Sequence, residues 1–232
     1  MLTGGAGHGK TTLALALADA AQEQGRSAGP PLVATADARL SARETFGRPT
    51  SAGFEPGLIP RAIRDDRWLL LDELDRARLD KALGRASTLL AGRGLDGVEP
   101  TSTWRVIATM ADLSGVARTS PALRRRFVFI EVPVLERAQL EQLVDRWAAG
   151  DDTAAAVGRR LVAISDVVAL GPGLYQDAIA YVRTRRALAP ADETHLTLEA
   201  LAGFVLPQLE GQGEEVAARA VRAAGLGAIS GP

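Results

Sequence analysis

Of the 27 basic residues only Lys10 and Lys81 are lysines, and Lys10 sits inside the glycine-dense stretch Gly4-Gly5-Ala6-Gly7-His8-Gly9-Lys10-Thr11. The stretch fits G-x-x-x-x-G-K-[ST]. Glycines let successive main-chain N–H groups turn inward and make a nest for an anion. An ammonium is a compact point charge suited to phosphate, whereas a guanidinium is a wide planar fork. The hydroxyl that follows, on Thr11, is a hard oxygen ligand for Mg2+. The residues Gly4, Gly5, Ala6, Gly7, His8, Gly9, Lys10, Thr11 and Thr12 are therefore predicted to cradle a polyphosphate, with Lys10 reaching its β- and γ-phosphates. His8 contributes backbone, since no carboxylate partner for its imidazole can be assigned. The competing account is a glycine turn capping an ordinary helix; the full motif, followed at once by a helical pattern, weighs against it.

A second group of residues could do complementary chemistry. Trp68-Leu69-Leu70-Leu71 is a continuous apolar run that ends in Asp72-Glu73. Such a run fits a strand buried on both faces of a parallel sheet, and ligands of open parallel sheets bind at the C-terminal strand ends. Asp72 is predicted to hold the Mg2+ shell together with Thr11. Glu73 is predicted to orient and polarise the attacking water. Alone, an apolar run ending in acids is a common strand-to-turn junction; paired with the phosphate loop it becomes the metal-and-water half of a triphosphate site.

The elements that must position these groups follow from the pattern. Thr12–Gln24 reads as an Ala- and Leu-rich helix stopped by Gly25. Strands are expected at 32–34, 68–71, 104–109 and 127–132, and short helices at 58–64 and 121–126. Residues 44–57, punctuated by Gly and Pro, read as a long loop. Residues 78–90 read as one helix. After Pro133 strand signals stop, and helices are expected at 136–148, 153–164, 174–186 and 197–209. Strands alternating with helices imply a parallel α/β layer, and the later run of helices a separate all-helical piece. The expected domains are residues 1–132, residues 133–210, and a Gly- and Ala-rich tail over 211–232 with room for one helix.

Composition narrows the chemistry further. Among the 232 residues there is no cysteine and histidine occurs only twice, which rules out disulfides, thiolate metal sites and a histidine-rich metal site. The formal net charge of −1 argues against a protein built mainly to coat nucleic acid. No apolar run approaches the roughly 20 residues needed to span a bilayer. The expected location is the cytoplasm, with no membrane partner.

The two motifs, taken with GRPTSAGFEPG at 47–57, WLLLDELDRARLDKALG at 68–84, WRVIATM at 104–110 and SPALRRRFVFIEVP at 120–133, resemble the AAA+ ATPases. The closer resemblance is to the dynein-related branch that holds the MoxR-like and McrB-like proteins. LGPGLYQDAIAYVR at 170–183 and FVLPQLEG at 204–211 resemble the helical lid of the same branch. The resemblance implies an α/β fold: a P-loop NTPase αβα sandwich on a parallel five-stranded sheet of order 5-1-4-3-2, plus a C-terminal all-helical lid. It implies ATP with Mg2+ as the bound nucleotide, with GTP as the alternative known among McrB-like relatives. It also implies self-association into a ring, a hexamer being the common size, acting on a protein client that the sequence does not identify. Arg124, Arg125 and Arg126 fall where the family places its trans-acting arginine finger; Arg125 and Arg126 are the favoured pair, with the choice between them open.

The chain departs from the family pattern in four places. Ala111 stands where the sensor asparagine is expected, with Thr109 two residues earlier as the substitute. Gly171-Pro172-Gly173-Leu174 lacks the sensor arginine of many lids. Asp75 replaces an asparagine and is expected to face away from the γ-phosphate. Only Met1-Leu2-Thr3 precede the phosphate loop, so the first strand is truncated relative to a typical 5–6 residues, and the reading frame is expected to continue upstream with a short apolar run. The functional expectations are thus an ATP-hydrolysing ring module, a nucleotide-held assembly module with little hydrolysis, and, disfavoured by the arginine trio and the lid, a small-molecule kinase.

Overall fold

The computed structural model describes residues 1–5, 7–51, 53–111 and 120–227. Ala6 of the phosphate loop lies outside them. The described residues divide into two compact units, Met1–Gly5 with Lys10–Val132, and residues 7–9 with those from Pro133 onward.

The first unit is built on a five-stranded sheet. Its strands are β1 (Leu2–Thr3), β2 (Leu32–Thr35), β5 (Leu69–Asp72), β6 (Val106–Met110) and β7 (Ile130–Glu131); β3 (Gly47–Thr50) and β4 (Gly53–Pro56) form a separate hairpin. The sheet order is β2-β5-β6-β1-β7 and every pairing is parallel. With the hairpin strands left out of the count, this is the order 5-1-4-3-2 that the resemblance implies. Strand β5 carries Leu69, Leu70 and Leu71, each fully buried, which is why its sequence shows no alternation. Helix α1 (Lys10–Glu23) lays its small residues Ala14, Ala18 and Ala21 inward. β1 is two residues long and lies between β6 and β7, with Leu2 opposite both Thr109 and Ile130.

Two local expectations are overturned. Residues 44–57 are not a loop. After the short helix α2 (Ala42–Thr45), whose Ser41 N–H is capped by Glu44 at 2.9 Å, the chain makes the β3–β4 hairpin and then helix α3 (Leu58–Arg64). Arg48 faces Glu55 across the ladder at 2.6 Å, and the buried Phe46 ring meets Phe54 edge-on at 5.8 Å. The glycines that suggest a loop serve close backbone approach at the hairpin base: a Cβ on Gly47 would collide with the Glu55 carbonyl oxygen, and one on Gly57 with that of Glu44. Residues 78–90 are not one helix either, but α4 (Leu79–Leu83) and α5 (Ser87–Leu90), parted at Gly84, a residue poorly suited to a helix interior. Helix α6 (Pro121–Arg124) follows β6.

The second unit is helical: α7 (Arg137–Ala148), α8 (Asp152–Val162), α9 (Pro172–Leu188), α10 (Glu193–Ala200) and α11 (Glu214–Ala223), with a π turn at Leu201–Val205 and a 3-10 turn at Leu206–Leu209. Asp151 caps α8 and Asp192 caps α10 through the N–H groups of Ala154 and His195. Leu140, Val144, Leu161, Ile179 and Val182 share one core with Ala220, Ala224 and Leu226, so α11 packs into this unit. Among the described residues no helix is long and apolar enough to cross a membrane.

Tyr175 is fully buried in that core, and its hydroxyl has no partner among the described residues. Burial, reinforced by the nearby charge of Asp166, pushes the phenol from 10.0 up to about 12. The folded state therefore keeps the proton better than the unfolded chain; the resulting stabilisation is complete below pH 10 and is lost as pH rises towards about 12. Tyr175→Phe is expected to be neutral at neutral pH, or stabilising by up to about 1 kcal/mol, because it removes a buried hydroxyl without a bond. It is also expected to flatten the alkaline decline. Thermal melts of both proteins on either side of pH 10 check this.

Candidate functional site

The parallel register sets the site. Leu71 pairs with Ala108 and Thr3 with Met110, so β5, β6 and β1 end side by side. Asp72, the last residue of β5, lies beside Thr109 of β6, and the glycine loop leaves the end of β1. Gly4, Gly7 and Gly9 have φ values of 139°, 74° and 80°, in the region that favours glycine, so the loop's turns need this residue type. Gly4, Gly5, His8 and Gly9 are half-buried, and Gly7 and Thr12 are exposed. The His8 ring atom Nδ1 is buried without a partner among the described residues.

Lys10 opens α1 and is only 9% exposed. Its Nζ donates to the Gly4 and Gly5 carbonyls at 2.8 and 2.7 Å. An ammonium has three donors, so one is left for a ligand oxygen, and the other two hold the loop closed around it. Thr11, one residue on, donates from Oγ1 to Asp72 Oδ1 at 2.7 Å. That bond joins the two motifs across 61 positions of sequence.

The chemistry of these donors fits a nucleotide with Mg2+. Donating its proton to Asp72 leaves the lone pairs of Thr11 Oγ1 available to a cation, and the bonds that the Asp72 carboxylate accepts among the described residues fall on Oδ1, leaving Oδ2 to a metal or its water. Mg2+ is usually held by one or two carboxylates plus substrate phosphates and water, not by an all-protein cage. Among the described residues no group of three or more His, Cys, Asp or Glu lies together.

Glu73 caps a 3-10 turn, Leu74–Arg76, with φ 54° and ψ 42°. A non-glycine residue in the left-handed region costs on the order of 1–2 kcal/mol, so its neighbours must hold it there. Its amide donates to Thr109 Oγ1 at 2.9 Å, and its carboxylate pairs with Arg76 at 2.9 Å. Thr109, 1% exposed, in turn donates to Asp72 Oδ1 at 2.5 Å. Asp75 is tied by its Oδ1 to the Ala111 N–H at 3.1 Å.

The structure thus brings together Lys10, Thr11, Asp72 and Glu73. It does not bond Arg125 or Arg126 to them. Arg124 ends α6, and Arg125 and Arg126 follow it; all three are exposed and make no ion pair among the described residues. Ser120, the residue before α6, is held by Asp80, which accepts from its N–H at 3.0 Å and its hydroxyl at 2.7 Å. Sequence reasoning missed three ties: Thr109 to both acids, Arg76 to Glu73, and Asp75 to Ala111. Thr109 itself is the residue offered above as the substitute for the sensor asparagine; its bonds to Asp72 and the Glu73 N–H are what the sequence did not show.

Comparisons with known proteins bear on the family and the fold. Residues 1–127 match the family model of the AAA domain, dynein-related subfamily. No curated protein matches the chain significantly. Among solved structures, a point mutant of Thermotoga maritima RuvB superposes with a TM-score of 0.56 at 16% identity, covering 87% of this chain and 61% of that one. The Aeropyrum pernix ORC2 protein in its ADP form gives 0.56 at 18% identity, covering 87% and 62%. Hsp104 with ATPγS and FITC casein gives 0.55 at 20% identity, covering 81% and 40%. At these identities the likeness is one of fold, and the chain spans about three fifths of the RuvB chain.

Proposed function

Because this chain belongs to the AAA domain family, in its dynein-related subfamily, we propose that it binds a nucleoside triphosphate with Mg2+ and hydrolyses it to drive remodelling within an oligomeric ring. The observation that carries the reading is the bond from Thr11 Oγ1 to Asp72 Oδ1 at 2.7 Å, which puts the phosphate loop and the carboxylate strand in one site. Support for ATP over GTP comes from the neighbours: ORC2 is in an ADP form, and Hsp104 carries ATPγS.

In this reading the N–H groups of Gly4–Thr12 surround the phosphates, and Lys10 gives its third donor to a phosphate oxygen while the other two hold the loop. Thr11 and Asp72 hold Mg2+, which when bound neutralises phosphate charge. Glu73 accepts the proton of the attacking water as its oxygen bonds the γ-phosphorus and the bridging bond to the β-phosphate breaks. The exposed Arg125 or Arg126 serves the site of a neighbouring copy, where a guanidinium offsets transition-state charge.

A second reading is nucleotide-held assembly with little turnover. It is favoured by Ala111, which has no side chain to orient water, and by the Arg76 guanidinium on the Glu73 carboxylate. One experiment separates the two: sedimentation with and without ATP and Mg2+, with released phosphate assayed on the same sample. A larger species with steady phosphate release is the expected result. A larger species without release selects the second reading, and no nucleotide-dependent change in either quantity refutes both.

A further inference from the structure

We propose that Thr109 is a positioning residue whose one hydroxyl sets both acids of the site, aiming Asp72 at the cation and holding the Glu73 turn. The inference rests on the nucleotide-binding reading above and adds to it a residue of β6 that acts through the two acids.

A threonine hydroxyl has one donor and two acceptor positions, and both functions are used here. The proton goes to Asp72 Oδ1 at 2.5 Å, and a lone pair takes the Glu73 N–H at 2.9 Å. Thr11 donates to the same Oδ1 at 2.7 Å, so two hydroxyls from α1 and β6 converge on one carboxylate oxygen. That convergence fixes the carboxylate's rotation and reserves Oδ2 for the cation's shell. The Glu73 amide, at a left-handed residue, has its acceptor from the neighbouring strand. Thr109 is 1% exposed, so no bulk water replaces its hydroxyl. The residues that follow it at the end of β6 cannot substitute: Met110 is apolar, and Ala111 offers its N–H, which Asp75 takes. Serine keeps both bonds; valine keeps the shape and loses both. Partners that orient a metal ligand typically change metal affinity by about 10–100-fold when removed.

The test is calorimetric titration of ADP into the whole protein, with Mg2+ and with EDTA, for wild type, Thr109→Val and Thr109→Ser. Wild type is expected to bind more tightly with Mg2+. Thr109→Val is expected to lose about 10-fold or more of that Mg2+-dependent gain, with its affinity in EDTA within about twofold of wild type. Thr109→Ser is expected to restore the gain. If Thr109→Val does not fold, Thr109→Ala, which adds no methyl to the site, takes its place with the same expectation. A full Mg2+ gain in the variant without the hydroxyl overturns the role of Thr109 and leaves nucleotide binding standing. A uniform loss with and without Mg2+, or no rescue by serine, reduces Thr109 to a structural residue. Absence of binding by the wild type removes the parent reading itself.

Discussion

Lys10→Ala is expected to weaken ADP and ATP binding by about 10- to 100-fold. A hydrogen bond to a charged group is worth about 1.5–3 kcal/mol, and about 1.4 kcal/mol is a factor of ten in affinity. Lys10 is nine-tenths buried at the mouth of α1, so its charge acts where water screens it poorly. The substitution has a second effect: the Gly4 and Gly5 carbonyls lose the donor that holds the loop at 2.8 and 2.7 Å. Lys10→Arg keeps the charge but replaces a point donor with a planar fork, and is expected to bind poorly as well. Calorimetry on protein whose thermal transition matches the wild type is the measurement. Affinity within about threefold of wild type for Lys10→Ala would show that the loop does not grip phosphate.

Glu73→Gln is expected to slow phosphate release by about 10²–10⁴-fold, the range associated with loss of a general base. Affinity for Mg·ATP should stay within about twofold, because the amide has the same shape and Asp72, Thr11 and Lys10 are untouched. The left-handed backbone of residue 73 is held through its N–H, which the substitution retains. The lost pairing with Arg76 is largely solvent-exposed, with side-chain exposures of 62% for Arg76 and 42% for Glu73, so little stability goes with it. Single-turnover assays of both proteins at saturating Mg·ATP give the comparison. Wild-type turnover by Glu73→Gln would sink the assignment of the base. A wild type that already turns over no faster than Glu73→Gln, while still assembling, selects the low-hydrolysis reading.

Arg76 bears on the same rate. Its guanidinium sits 2.9 Å from the Glu73 carboxylate, the group that must accept a proton. Arg76→Ala is therefore expected to raise turnover modestly, by a few-fold at most for so exposed a pair, and to leave nucleotide affinity unchanged. A fall in turnover would mean that Arg76 holds Glu73 in its working position.

Much of the site was legible because its parts are contiguous. Eight residues, Gly4 to Thr11, carry both the turns and the cation, and the run Leu69–Leu71 announces a doubly buried strand that must end where the acids begin. Such segments are specified by local sterics and by burial, which a linear pattern records. The hairpin at 47–56 was not legible. Its strands have proline at 49 and 56 and glycine at 47 and 53, and they are held by the Arg48–Glu55 pair and the Phe46–Phe54 contact, not by alternation.

By itself, then, the chain's sequence determined where the glycine-lysine loop lies and where a buried strand ends in two acids, since these follow from residue type and near-neighbour spacing. Tertiary structure decided how they meet. The pairing of Leu71 with Ala108 places Asp72 beside Thr109, and the order β5-β6-β1 brings the phosphate loop to the same edge. A one-residue slip in a strand turns every side chain to the opposite face. The two hydroxyls on Asp72 are therefore a consequence of register between strands distant in sequence, which no local pattern encodes.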